Sequence, residues 1–276
     1  MGAEWFFADH DDWARIERDA FEHVDGRVLD IGAGAGRHSL VVQRRQLESV
    51  AIDISPGAVE VCRRRGVRDA HLLPLAEIDE SLGAFDTVLL LCGNFGLAGG
   101  WEETIALLEK LHSLTSPGAR ILLDTVSPYE DADEADLAYF ERNRERGRMP
   151  GQVTIRIRYD GLATPWYDLL CVDLLEFVAL IEGSGWHPIF LGEDGTDVYA
   201  VLEKDYLSAP SRVRRSGSSL RASAGRISSA EPMTVRLPRT LPTRLVTITP
   251  RILPLGAPKV KTRPALSVPF TGRART

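Results

Sequence analysis

The chain has 276 residues, 44% of them hydrophobic and 26% charged, with a formal net charge of -6, which is the composition of a folded globular protein and excludes a disordered or fibrous one. No stretch approaches the ~18 consecutive apolar residues of a membrane span, and the acidic, aromatic start MGAEWFFADHDDW lacks the basic-then-apolar order of a secretory signal. Three cysteines far apart in sequence (Cys62, Cys92 and Cys171) exclude a disulfide framework and a cysteine-rich zinc site; a reduced, cytoplasmic chain is expected.

The modest net charge hides a split. Residues 207–276 carry fourteen basic side chains and one acid (+13), which leaves -19 on residues 1–206. The basic part is rich in Arg, Pro and Ser and has one aromatic residue, Phe270. Its recurring prolines break helices and interior strands, and so little apolar surface cannot offset the entropy of ordering. A disordered tail is expected over 207–276, beside a single domain over 1–206.

Within 1–206, short apolar runs alternate with amphipathic stretches, the pattern of a parallel sheet with crossover helices. Strands are predicted at 27–31, 49–53, 70–73, 86–91 and 119–124, with helices at 37–46, 56–65 and 101–114 between them. Ser55 and Pro56 read as the cap and first residue of the second of these helices. The pair Pro117–Gly118 punctuates the chain before the fifth strand. Beyond Asp124 the rhythm changes: a charged helix over 130–146, an alternating strand over 152–159 pairing with 166–172, and a helix over 173–184. Two last strands follow, 186–191 and 198–203, joined by the loop GEDGTD. The fold class is therefore α/β, a doubly wound, Rossmann-like, mostly parallel seven-stranded sheet with a terminal antiparallel hairpin and a small β insertion, about 127–172, after strand five.

The segment VLDIGAGAGRHSL (residues 28–40) carries the chemistry. An apolar strand ends near Asp30, glycines alternate at Gly32, Gly34 and Gly36, and a helix begins. Glycines let the backbone turn sharply and approach a ligand, and the helix start offers free N–H groups. A dinucleotide fingerprint places its third glycine three residues after the second, where this chain has Arg37. An acid two residues before the first glycine suits a ligand with a cationic amino group, which favours S-adenosylmethionine over a dinucleotide. Asp53, ending the second strand, is placed to accept hydrogen bonds from both ribose hydroxyls of an adenosine, and Ile54 to lie on the adenine face.

Residues 28–40, 51–55 and 85–91 (FDTVLLL) resemble the first, second and fourth motifs of class I S-adenosylmethionine-dependent methyltransferases, in outline over about 24–206. The resemblance implies Asp30 and the loop Gly32, Ala33, Gly34 and Gly36 around the methionine part of the donor, and Asp53 on its ribose. It implies Gly93 and Asn94, after the fourth strand, beside the transferable methyl. Asp69 and Glu77 are the candidates near the adenine amino group. The sequence CGNFG at 92–96 lacks the prolines of family members that methylate adenine or glutamine.

Methyl transfer from a sulfonium is an in-line displacement, so positioning supplies much of the rate, and a base is needed only for a protonated nucleophile. The candidate catalytic residues are Asn94 and His10, the latter near an aromatic N-terminus (Trp5, Phe6, Phe7, Trp13) that reads either as packing or as a lid. His38 reads as a helix-face or loop-supporting residue. No metal-ligand spacing occurs among the histidines. The acceptor is expected to be a small molecule; the acidic body disfavours nucleic acid, although the basic tail would contact phosphates weakly and non-specifically. The alternatives are a nicotinamide-dependent oxidoreductase of related fold and a non-catalytic binding protein that uses the tail.

Overall fold

The computed structural model describes residues 3–159 and 162–205. The expected basic tail, 207–276, lies outside the described residues.

Among the described residues, eleven strands and six α-helices follow one another: β1 Val28–Ile31, α2 Arg37–Arg44, β2 Ser49–Asp53, α3 Pro56–Arg64, β3 Ala70–Leu72, β4 Phe85–Leu90, α4 Trp101–Ser113 and β5 Thr115–Val126, with α1 Arg15–Phe21 ahead of them. After β5 come α5 Glu134–Glu145, β6 Gln152–Ile155, β7 Arg158–Tyr159, β8 Leu162–Ala163, β9 Tyr167–Leu170, α6 Leu174–Ile181, β10 Trp186–Asp194 and β11 Asp197–Lys204. Seven strands form one sheet in the order β10-β11-β5-β4-β1-β2-β3. From β5 through β3 every pairing is parallel, and β11 runs antiparallel to both β5 and β10. Strand β11 is thus wedged between β5 and β10, and β10 points the same way as the parallel strands. The seven-stranded sheet expected from the sequence is the one observed.

Alternation of side chains sorts the central strands onto two faces. Leu29, Ile31, Val88, Leu90, Ile121 and Leu123 pack with α4 and α6 through Leu108, Leu111, Phe177 and Leu180. Val28, Leu89, Leu91 and Leu122 pack on the other face with Trp13, Phe21, Val41 and Val42 from the N-terminal segment, α1 and α2. Asp30 and Asp124 fall in register with the second set, so two carboxylates share the α1/α2 face near the carboxyl ends of β1 and β5. No helix among the described residues is long and apolar enough to cross a membrane.

Several expected boundaries move, each for a local reason. Helix α2 stops at Arg44 because Gln46 is left-handed (φ 63°). Helix α5 starts four residues later than expected, at a capping box built by Asp133 and Asp136. Strand β5 begins before Pro117–Gly118; the extra residues are absorbed as a register shift against β4, with Gly118 at φ 73°. The final hairpin is tighter than expected, its strands reaching Asp194 and Asp197. The long strand expected over 152–159 ends at Ile155: β6 pairs only with β9, and the short β7–β8 ladder is separate. Arg156 therefore leaves the strand and lies over the Trp166 ring, 4.6 Å from its centroid.

Candidate functional site

The loop between β1 and α2 holds Gly32, Gly34 and Gly36 at φ 70°, 56° and 75°, all left-handed. The N–H groups of Gly32 and Ala33 donate to the Ile52 carbonyl at 2.9 and 3.0 Å, tying the loop to the end of β2. At Gly32 a side chain is excluded twice over: by φ, and because a Cβ would stand 2.6 Å from Asn94 Nδ2. Gly34 by contrast has room, with Phe6 the nearest side chain at 3.9 Å. The loop is a backbone cradle with one open position.

Asp53 stands beside it. Its Oδ2 accepts from the Gly34 N–H at 2.9 Å and its Oδ1 from the Ser55 N–H at 2.8 Å. Each carboxylate oxygen keeps lone-pair capacity for a hydroxyl donor. Ile54 is 71% exposed and Leu72, on the neighbouring strand opposite Asp53, is 53% exposed. Two bare aliphatic side chains next to a partly engaged carboxylate fit an adenosine, with ring on hydrocarbon and ribose on Asp53. Glu77 lies in the turn after β3, and Asp69 Oδ1 stands 2.6 Å from His71 Nε2.

Asp30 is buried, and its Oδ2 accepts from both the N–H (3.2 Å) and the hydroxyl (2.6 Å) of Ser39. Burial raises its pKa against the opposing influences of His38 and Ser39. The structure thus employs Asp30 to fasten α2 to β1, which supports the loop from below.

After β4 the chain turns through Cys92 (φ 67°) and Gly93 (φ 77°), two left-handed residues in succession. Asn94 then donates from Nδ2 to the carbonyls of Ile31 (2.8 Å) and Gly32 (3.0 Å). Both amide hydrogens are directed at the glycine loop, so Asn94 locks the turn after β4 to the turn after β1. This makes it a positioning residue in the geometry observed. Gly93 donates its N–H to Asp124 Oδ2 at 3.0 Å, and a Cβ at Gly93 would meet open space. Strand β9 of the insertion crosses this turn so closely that a Cβ at Gly99 would stand 3.1 Å from the Asp168 carbonyl.

The N-terminal aromatics divide between the two roles. Trp13 is buried in edge contact with Phe21 and His38, whereas Trp5, Phe6 and Phe7 lie on the glycine-loop side, with Arg37 over Trp5, Phe6 near Gly34 and Arg65 over Phe7. His10 belongs to the packed part: its ring meets Trp13 and Phe21 at centroid distances of 5.0 and 6.3 Å, and Nδ1 faces Asp11 at 3.5 Å.

A buried charge cluster, which no spacing in the sequence marks, joins these parts. Glu17 of α1 bonds Arg37 Nη2 and, at 2.9 Å, His38 Nε2; all three are buried. Burial pushes the Glu17 pKa up, but the hydrogen bonds and charges of His38 and Arg37 outweigh it and hold the carboxyl below its ordinary value. Arg37 Nη2 also reaches Cys92 Sγ at 3.5 Å. Glu17, His38 and Cys92 bring three potential metal-ligand atoms within 4.8 Å of one another, yet Arg37 already places a cation against two of them. Arg37 stands immediately after the third glycine, the one signal in the sequence that pointed to it.

The Methyltransferase domain family matches residues 28–118. The chain is 36% identical over 118 residues to the demethylmenaquinone methyltransferase of Renibacterium salmoninarum, covering 40% of this chain and 46% of that protein, so it spans about half of that relative's length. It is 32% identical over 207 residues to the cypemycin N-terminal methyltransferase of a Streptomyces species, covering 66% of this chain and 84% of the relative. The chain belongs to the S-adenosylmethionine-dependent methyltransferases. A crystal structure of such a methyltransferase from Bacteroides fragilis, in complex with S-adenosyl-L-homocysteine, superposes with a TM-score of 0.61 at 29% identity, over 74% of this chain and 82% of that one. Family membership decides between the two nucleotide readings of the glycine loop: the methyltransferase's donor is S-adenosylmethionine, and the nicotinamide alternative lapses.

Proposed function

We propose that this methyltransferase transfers the methyl group of S-adenosylmethionine to a small-molecule acceptor, with the glycine loop and Asp53 holding the donor. The observation that carries the site assignment is the bond from Gly34 N–H to Asp53 Oδ2, which couples the cradle to the carboxylate placed for the ribose. When bound, the donor supplies an activated methyl on a sulfonium. The chain's own part is positional: Asp53 orients the adenosine, Asn94 fixes the Gly32 turn against the turn after β4, and β9 with the N-terminal aromatics narrows access to water. Gly93 marks the open end toward the acceptor. Nothing in the acidic body favours nucleic acid as acceptor, since -19 on residues 1–206 opposes a polyanion. The free thiols Cys62, Cys92 and Cys171 fit a reducing, cytoplasmic setting.

Calorimetry of the full chain with S-adenosylmethionine tests this reading. Saturable binding is expected, weakened ~10- to 100-fold by Asp53→Ala, because hydrogen bonds to a charged partner contribute about 1.5–3 kcal/mol. Equal binding by Asp53→Ala would remove Asp53 from the donor site.

A further inference from the structure

One group on the α1/α2 face is left unexplained by donor binding. Asp124, at the carboxyl end of β5, is 6% exposed; its Oδ2 accepts from Gly93, but its Oδ1 is buried without a hydrogen-bond partner. A buried carboxylate oxygen without a donor is costly unless something completes it. The unpartnered Nε and Nη1 of Arg37, by comparison, belong to a guanidinium set over the rings of Trp5 and Trp13. Asp124 has no such cover. The groups that act on it electrostatically are Glu17 from α1 and Asp197 from β11, both acidic. Tyr199, its cross-strand partner on β11, and the Cys92 thiol are both kept neutral by burial and by the acids around them. The surroundings therefore call for a cation with N–H groups to donate. Gly93, whose N–H reaches the other oxygen of this carboxylate, has open space on the side where a Cβ would stand.

We infer that the acceptor is an amine, and that Asp124 Oδ1 receives its ammonium group and takes the proton that must leave before methylation. The inference rests on the donor reading above and names its acceptor class. An ammonium R–NH3+ passes one proton to the Asp124 carboxylate, giving R–NH2 and a neutral carboxyl. The freed nitrogen lone pair forms the new C–N bond while the S–CH3 bond breaks and its electron pair returns to sulfur. The products are the methylated ammonium and neutral S-adenosylhomocysteine, and Asp124 releases its proton to solvent. Burial, reinforced by Glu17 and Asp197 and opposed by the backbone N–H groups of Gly93 and Cys92, pushes the Asp124 pKa up to about 7, where a carboxylate both exists and accepts protons near neutral pH. Arg37 does not compete for this role, being paired with Glu17.

Two measurements on the full chain test it. Calorimetry with S-adenosylhomocysteine is expected to give affinities within about twofold for the wild type and Asp124→Asn; a tenfold loss in the variant would assign Asp124 to the donor's own amino group and overturn the inference. If the wild type itself does not bind, the donor reading fails and this inference with it. Second, 13C NMR of aspartate-labelled chain saturated with S-adenosylhomocysteine follows the Asp124 carboxyl, identified by its loss in Asp124→Asn. Methylammonium is expected to lower its titration midpoint by about one unit or more, as an adjacent cation does, and methanol to leave it in place. No shift with methylammonium, or an equal shift with methanol, would overturn the inference.

Discussion

Glu17→Gln is the sharpest test of the buried cluster. Glu17, Arg37 and His38 are 4%, 5% and 4% exposed, so solvent screens them little. The substitution leaves the Arg37 guanidinium buried beside a neutral amide, with Cys92 and two indole rings as its other neighbours. Removing one partner of a buried ion pair costs about 3–5 kcal/mol, because the remaining charge has no compensation. At roughly 2–4 °C per kcal/mol for a chain of this size, the melting temperature should fall by ~6–20 °C. Differential scanning calorimetry of the full chain reads this directly. The double variant Glu17→Gln/Arg37→Met should be less destabilised than the two single variants added together, since the stranded charge is gone. Additive losses, or a Glu17→Gln melt within about 1 °C of wild type, would refute the reading of this cluster as a coupled buried pair. The pH dependence has a defined sign. The folded-state pKa of Glu17 is depressed, so its contribution is present above about 4.5 and is lost as the pH falls through the lower folded value; Glu17→Gln should flatten that acid limb.

At Gly32, alanine should destabilise by about 1–2 kcal/mol from the left-handed backbone alone, with a further loss from contact with Asn94, and should weaken S-adenosylhomocysteine binding; the double variant Gly32→Ala/Asn94→Ala should recover the contact part only, as read by thermal melts and calorimetry. Asp124 acts on stability in the opposite sense from Glu17. Its folded pKa is raised to about 7, so the native state binds more protons than the unfolded chain between about 4 and 7, and stability falls as pH rises through that window. Asp124→Asn should therefore melt higher than wild type at pH 8, with the gap closing toward pH 4. A variant less stable than wild type at pH 8 would contradict this.

Local patterning was enough to reveal most of the sheet. The apolar runs around Val28, Val50 and Val88 read as strands because both of their faces are buried, and Ser55–Pro56 marked the start of α3, where Ser55 Oγ accepts from Ala58 N–H at 3.3 Å. The glycine loop and Asp53 were legible for a related reason: backbone turns and strand ends leave residue-type signatures at short range. The sequence alone therefore determined the α/β class, the glycine loop and the resemblance that the family comparisons bear out. Other features depend on residues distant in the chain. That Asp30 serves Ser39, that Asn94 bridges the turns after β1 and β4, and that Glu17 meets Arg37 across 20 positions are facts of packing. Asp124 reads as an ordinary strand residue until the left-handed turn at Cys92–Gly93 brings the Gly93 N–H to one of its oxygens and leaves the other without a partner. Propensity and periodicity act within a few residues, whereas desolvation and charge pairing act between whichever groups the completed fold encloses. Only the tertiary structure could decide which carboxylates hold the scaffold together and which keep an oxygen without a partner.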